Sequence, residues 1–148
     1  MKILDIGCGN NKTPNSIGCD FIKLPDVDIV HDLNQFPYPF KNNEFDIVIS
    51  RHCLQHLFDI SNVIDEIYRI LKPHGKLILY LPHYASDNFN TDPTHKSSFG
   101  IRSMNYFCDL KGFKYSYYSK NRFKKLKFWI SFYQYDKRKS IRIYVTKT

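Results

Sequence analysis

The sequence predicts an α/β fold: a mostly parallel sheet with helices reduced on one face. Three observations lead there. Runs such as Phe45–Ser50 and Lys76–Pro82 are apolar almost throughout their middles, as strands buried on both faces of a parallel sheet are. Between these two runs lies one strongly periodic helical segment, Asp59–Leu71, so together they read as a βαβ unit of right-handed crossover. The earlier strands are separated only by Gly7–Ser16 and Phe21–Val27, which contain Pro14 and Pro25. Crossovers between parallel strands take a dozen or more residues, usually as a helix, so neither gap holds a helix longer than about one turn.

Taken in order, Lys2–Ile6 is the first strand and ends at Gly7. Ile17–Asp20 is the second and Asp28–His31 the third. Phe45–Ser50 is the fourth. In the helix, Ile60, Val63, Ile64, Ile67, Ile70 and Leu71 recur at helical spacing, Asp59 is the N-cap, and Pro73 and Gly75 close the end. Arg69 and Lys72 read as surface charges favoured by the helix C-terminus. Lys76–Pro82 is the fifth strand, followed by a polar loop to about Phe99 and a short helix over Ser103–Leu110. Strand patterns follow at Phe113–Ser119, Leu126–Tyr135 and Ile141–Thr146, with Asp136-Lys137-Arg138-Lys139 as a hairpin turn between the last two.

The 148 residues suit one domain, 1–148, divided into a half formed by 1–82 and a loop-plus-hairpin half formed by 83–148. No apolar run approaches the roughly 18–20 residues of a membrane span. Met1-Lys2-Ile3-Leu4-Asp5 reaches an acid too early for a signal peptide, so the expectation is a cytoplasmic protein. Cys8, Cys19, Cys53 and Cys108 contain no C-x-x-C pair and read as buried or half-buried free thiols. The net charge of +8 is uneven. Residues 1–110 hold 10 Lys/Arg against 13 Asp/Glu, whereas residues 111–148 hold 12 against Asp136 alone. A basic strip rich in aromatics suits nucleic acid or an anionic substrate; the plainer alternative is a solvated sheet face whose cations deter edge pairing.

Ile3-Leu4-Asp5-Ile6-Gly7-Cys8-Gly9-Asn10 is a strand entering a Gly-x-Gly turn, where bare backbone lets a ligand approach. The third glycine of the dinucleotide fingerprint is absent, Lys12 standing in its place, which weakens a nicotinamide reading. Asp20 ends the second strand. Further on come His31-Asp32-Leu33-Asn34, then Pro39-Phe40-Lys41-Asn42-Asn43-Glu44-Phe45-Asp46-Ile47-Val48, Leu54-Gln55-His56-Leu57, and Leu71-Lys72-Pro73-His74-Gly75-Lys76-Leu77. In this order the segments resemble a small class I S-adenosylmethionine-dependent methyltransferase over about residues 2–107. His74 replaces a glycine of that family's turn before strand five. The family's helix after the Gly turn has no room here.

The resemblance implies a Rossmann-like methyltransferase sheet of order 3-2-1-4-5-7-6, with the last strand antiparallel. It implies S-adenosyl-L-methionine as cofactor, S-adenosyl-L-homocysteine as product, and an unidentified methyl acceptor. Asp5 would anchor the Gly turn, and the backbone of Gly7, Cys8 and Gly9 would face the methionine end. Asp20, with Phe21 beside it, would accept from the ribose hydroxyls, a charge-assisted contact. Asp32 would accept from the adenine amino group while Leu33 packs on the ring. The Ser50 carbonyl and the His52 side chain would meet the methionine moiety. The plainer alternative is a turn residue for Asp20 and a turn or cap for Asp32.

His52 and His56 have the spacing of metal ligands on a helix, but Cys53 stands where a metalloprotease has its glutamate, and no metal is expected. Ligands of open α/β sheets bind outside the carboxyl ends of the strands, which puts the acceptor beside the loop His83–Phe99. Asp92-Pro93-Thr94-His95-Lys96 in that loop is similar to an Asp-Pro-x-His segment of small family members. His83 or His95, oriented by Asp92, would take the acceptor proton, with Tyr84 or Phe99 as an apolar wall; alternatively Asp92 and His95 only fix the loop. The alternative function is a degenerate methyltransferase-fold binding module whose basic C-terminal segment holds nucleic acid or a protein. A second copy of the chain covering the bare sheet face, as a homodimer, and a naturally compact monomer both remain open.

Overall fold

Seven strands form one sheet in the computed structural model, which describes residues 1–132 and 139–148. They are β1 (Ile3–Ile6), β2 (Ile17–Asp20), β3 (Ile29–Val30), β4 (Phe45–Arg51), β5 (Leu71–Pro82), β6 (Phe123–Phe132) and β7 (Lys139–Lys147). Their order is β3-β2-β1-β4-β5-β7-β6, as expected. The first five are parallel; β7 runs antiparallel to both β5 and β6. Of the expected turn Asp136-Lys137-Arg138-Lys139, the first three residues lie outside the described residues, as does the expected strand Leu126–Tyr135 beyond Phe132, and Lys139 opens β7.

The helix α1 (Ile60–Ile70) is the one the periodicity predicts. Asp59 caps it by accepting from the Asn62 amide at 3.0 Å, and Val63, Ile64, Ile67 and Ile70 are buried. It stops one residue earlier than expected because β5 begins at Leu71, ahead of Pro73 and Gly75. His74 takes a φ of 62°, the left-handed geometry that a glycine would adopt more easily. Arg69 is not a simple surface charge. It bridges Glu66 at 2.7 Å and donates to the Tyr38 and Phe40 carbonyls, tying α1 to the segment before β4.

Residues 7–16 and 21–27 form turns without a helix, as their length and prolines require. Several expectations fail at the other end. Phe113–Ser119 is not a strand: Ser116–Tyr118 is a 3-10 turn, and β6 starts at Phe123. Alternation of aromatic and polar residues there arises from packing among Tyr106, Phe113 and Tyr115 rather than from strand pairing. The helix over Ser103–Leu110 is a 3-10 helix ending at Phe107, and the polar loop holds a short α2 (Asp87–Thr91), capped by Ser86. The third strand shrinks to two residues.

The core lies on the α1 side of the sheet. Leu4 and Ile6 of β1, Val48 of β4, Leu77 and Leu79 of β5, and Ile143 and Val145 of β7 all point there and are buried. Strand alternation therefore sends the intervening residues to the opposite face. On that face Ile47, Ile49 and Ile78 are only half-buried, and Trp129 remains 43% exposed. Parallel strands are ordinarily covered on both sides; here the crossovers that would supply a second helical layer have shrunk to turns.

Candidate functional site

A cleft of about 640 Å³ opens at the carboxyl ends of β1, β2 and β4, within the range of small-molecule sites. Gly7, Asp20 and Phe21 line one side, Asp32 and Leu33 a second, and His52 and Cys53 the floor beyond β4. Thr94 and Lys96 of the loop after β5 close it, together with His56 and Leu57. Six of the ten expected cofactor residues thus line one cavity: Gly7, Asp20, Phe21, Asp32, Leu33 and His52.

The other four sit behind it. Asp5 is fully buried and holds the turn from beneath, accepting from the Thr13 amide and hydroxyl, both at 2.7 Å, and pairing with Arg51 at 2.8 Å. Arg51 also donates to the Asn11 carbonyl, so one ion pair clamps the middle of the loop after β1, at Asn11 and Thr13. Arg51 was absent from the expected set. It was readable, because two-residue periodicity puts it on the same face as Ile49, the register partner of Asp5. Cys8 is buried with its thiol toward the Asp26 carbonyl, and burial pushes it up to about 11. Gly9 donates its amide to Asp20 at 2.9 Å. Ser50 is buried next to Ile6, its hydroxyl without a hydrogen-bond partner among the described residues.

Two backbone features shape the cleft. Gly7 has φ 65°, and an added Cβ would lie 2.3 Å from the Cys53 sulfur, so the turn and the segment after β4 are in contact through the missing side chain. His52 has φ 51°, a costly conformation for a residue other than glycine, and it turns the chain sharply at the end of β4. Desolvation, followed by the nearby His95, Arg51 and His56, holds the His52 imidazole below its usual pKa, although the residue as a whole is exposed. Burial raises the Cys53 thiol to about 12, so it faces the cleft protonated.

Asp32 accepts from the Asn34 amide at 2.9 Å and closes an Asx-type turn, which fixes the position of Leu33. The turn-residue reading and the cleft-lining position therefore hold for the same side chain.

The loop after β5 is stitched onto the 3-10 turn Leu54–His56. The Lys96 and Ser97 amides donate to the Gln55 carbonyl at 2.7 and 3.0 Å, and the Ser97 hydroxyl donates to the Leu57 carbonyl at 2.8 Å. This brings His56, Asp92 and His95 together, with ligand-type atoms within 4.8 Å of one another. Two imidazoles and a carboxylate can hold a divalent metal. Here three of the four ring nitrogens are already engaged: His56 Nδ1 with the Thr94 hydroxyl at 3.0 Å, His56 Nε2 with Gln55 at 3.4 Å, and His95 Nδ1 with the Phe89 carbonyl at 2.8 Å; His95 Nε2 faces Asp92 at 3.7 Å. The Thr94 hydroxyl and amide hold the Asp92 carboxyl below the usual carboxylate range.

Of the three residues expected to act on the acceptor, none lines the cleft itself. Asp92 and His95 stand one layer behind Thr94 and His56, and the His95 ring is 3.7 Å from Asp92 and stacks on Phe89. His83 accepts from the Ala85 amide and packs against Tyr84 at the base of the loop. Phe99 is buried and lines a separate groove of about 350 Å³ with Ile60, Tyr106 and Tyr118, while Tyr84 is exposed. The imidazoles in the cleft are His52 and His56, and His56 is not among the residues expected to act there.

Comparison with known proteins bears on the fold and on the family resemblance. Residues 22–79 match the model of the Methyltransferase domain family. Phosphoethanolamine N-methyltransferase 2 of Caenorhabditis elegans is 35% identical over 77 residues, covering 49% of this chain and 17% of that protein. The chain spans less than half the length of the curated relatives first matched. Among solved structures, the YcgJ protein of Bacillus subtilis superposes with TM-score 0.67 at 18% identity, covering 99% of this chain and 91% of that one. A SAM-dependent methyltransferase from Archaeoglobus fulgidus superposes with TM-score 0.70 at 16% identity, covering 99% and 86%. Motif order, the family match over residues 22–79 and strand topology converge on one resemblance: the chain has the fold of class I S-adenosylmethionine-dependent methyltransferases and is similar to that family.

Proposed function

We propose that the chain binds S-adenosyl-L-methionine in the cleft between Gly7, Asp20 and the loop after β5, and transfers its methyl group to an acceptor presented by that loop. The observation that carries this reading is the gathering of Gly7, Asp20, Asp32, Leu33 and His52 around one cavity of suitable size. The donor set fits the cofactor: two carboxylates for hydroxyl and amine hydrogens, apolar Leu33 and Leu57 for a ring, and exposed backbone at Gly7. The cofactor, when bound, supplies an activated methyl group on a cationic sulfur.

The protein's own task is alignment and exclusion of water, which supply most of the acceleration in such transfers. Asp5 and Arg51 fix the Gly turn, Asp20 and Asp32 orient the nucleoside end, and the strained turn at His52 places an imidazole at the methionine end. The Asp92-Thr94-His56 chain of hydrogen bonds sets the wall that faces the acceptor. His95, locked between Asp92 and Phe89, positions that chain, and His56, the imidazole of that chain that lines the cleft, receives the acceptor proton.

Calorimetry tests the cofactor. S-adenosylmethionine and S-adenosylhomocysteine are expected to bind and NAD is not; binding of NAD alone would overturn the assignment. The pH dependence carries a sign. His52 is held below its usual pKa, so the unfolded chain takes up its proton first as pH falls, and folding stability declines between about pH 6.5 and the lower folded value. Once His52 is charged it opposes a cationic sulfur. Acidification from about pH 8 to about pH 5 should therefore weaken S-adenosylmethionine relative to uncharged-sulfur S-adenosylhomocysteine. His52→Asn should flatten that ratio; a ratio equally pH-dependent in the variant removes His52 from the methionine end.

For the acceptor side, His56→Ala, His83→Ala and His95→Ala are compared separately for cofactor affinity and turnover. Loss of general-base assistance costs about 10²–10⁴-fold in turnover with affinity retained. Full turnover in all three makes the loop scaffold only.

A further inference from the structure

We propose that the open face of the sheet, across β5, β7 and β6, binds single-stranded nucleic acid. Register places the relevant residues side by side. Tyr80 of β5 lies opposite Arg142 of β7, which lies opposite Trp129 of β6. One step along, Tyr144 lies opposite Lys127, and further down Thr146 stands between Lys76 and Lys124.

Three aromatic side chains from three adjacent strands thus share one face, each beside a cation. Arg142 sits 5.3 Å over the Tyr80 ring and Lys127 5.7 Å over the Trp129 ring, and the Trp129 and Tyr144 rings are 4.9 Å apart. Of the nine positions that β5, β7 and β6 present here, four are cationic, three aromatic and none acidic. Lys76, Lys124, Lys127 and Arg142 are exposed, and Trp129 is 43% exposed.

Charge complementarity selects the occupant. A second copy of the chain would set four cations against four. A polyanion neutralises them, and the exposed Trp129 ring, with half-buried Tyr80 and Tyr144 beside it, offers a flat partner to unstacked bases, which a duplex keeps buried in its stack. The patch begins at the strand ends that border the cleft, since Tyr80 and Arg142 lie at the carboxyl end of β5, and runs away from it along the strands. It lies on the face opposite α1, so this inference stands or falls separately from methyl transfer.

Trp129 is the one tryptophan in the chain and reports on its own site. The experiment titrates the full chain with a fluorescently labelled oligo(U) of about 12 nucleotides, following anisotropy and, with unlabelled oligomer, Trp129 emission. Duplex of equal length, heparin, and phosphatidylserine–phosphatidylcholine vesicles are the comparison ligands. Saturable quenching is expected, with log affinity falling against log salt at a slope of about −2 to −3 for four cations at single-strand stoichiometry. Trp129→Leu should weaken binding by about 5- to 100-fold, Trp129→Phe by less, and Lys127→Glu with Arg142→Glu by tenfold or more, with circular dichroism unchanged. Should the paired charge reversal disturb folding, Lys127→Ala alone carries the test. Absence of binding overturns the proposal. So does equal binding of heparin, duplex or vesicles with Trp129→Leu neutral, because bare charge attraction then explains the whole effect.

Discussion

Gly7→Ala is expected to destabilise the fold by about 2–5 kcal/mol. A φ of 65° costs an L-residue about 1–2 kcal/mol, and overpacking a filled site adds about 1–3 kcal/mol. The second contribution is specific, because the new methyl group would sit 2.3 Å from the Cys53 sulfur and 2.4 Å from its Cβ. Gly9 supplies the control. It has a similar φ of 53° with nothing within 4 Å of an added Cβ, so Gly9→Ala should cost only the backbone strain, about 1–2 kcal/mol. Urea unfolding midpoints of both variants measure the difference. Adding Cys53→Ala to Gly7→Ala should return part of the steric loss and leave the backbone part. Equal destabilisation by Gly7→Ala and Gly9→Ala would show that Cys53 does not fill the space beside Gly7. The size matters because domains of this kind hold only about 5–15 kcal/mol in total.

How far the fold was legible depended on whether local chemistry and tertiary packing agreed. The apolar runs of β4 and β5 and the period of α1 are strong because each is buried on the side its pattern dictates. The missing crossover helices were legible from chain length and prolines alone. The segment Phe113–Ser119 misled because Phe113, Tyr115 and Tyr117 alternate like a strand, whereas Tyr115, Tyr117 and Tyr118 remain exposed and pack mainly on one another and on Tyr106. In the site, residues tied to a strand end were readable: Gly7, Asp20 and His52 all follow directly from where β1, β2 and β4 stop. His56, Thr94 and Lys96 were not, because their place depends on a loop 40 residues away folding back onto the Gln55 carbonyl. Nothing in local spacing encodes that meeting.

The same division explains the bare sheet face. A chain that shortens the crossovers to turns loses one helical layer, yet it keeps the carboxyl-end rim on which the cleft is built. The cleft is then held by a few polar contacts: the Asp5–Arg51 pair, the Asp20 bond to Gly9, and the Asx turn at Asp32. The open surface is half-buried isoleucine toward β1 and β4 and cation-flanked aromatics toward β6.

Asp20→Ala is expected to lower affinity for S-adenosylmethionine and S-adenosylhomocysteine by about ten- to a hundredfold. Hydrogen bonds to a charged acceptor contribute about 1.5–3 kcal/mol, and each 1.4 kcal/mol is tenfold. Asp20 is buried at the end of β2, with one carboxylate oxygen taken by the Gly9 amide at 2.9 Å and the other only loosely approached by the Ile22 amide at 3.4 Å. The second oxygen is therefore the one open to ribose hydroxyls. Removing the side chain also frees the Gly9 amide and loosens the turn, so a drop in affinity alone does not assign the contact. Asp20→Asn separates the two effects. Its amide oxygen can still accept from Gly9, while its amino group replaces the acceptor offered to the ligand. Thermal unfolding should then show Asn close to wild type and Ala lowered, whereas calorimetry should show both weakened. Adenine alone, which lacks the ribose, should bind wild type and Asp20→Asn equally. If Asp20→Asn binds S-adenosylhomocysteine as tightly as the wild type, Asp20 serves the turn and not the nucleoside.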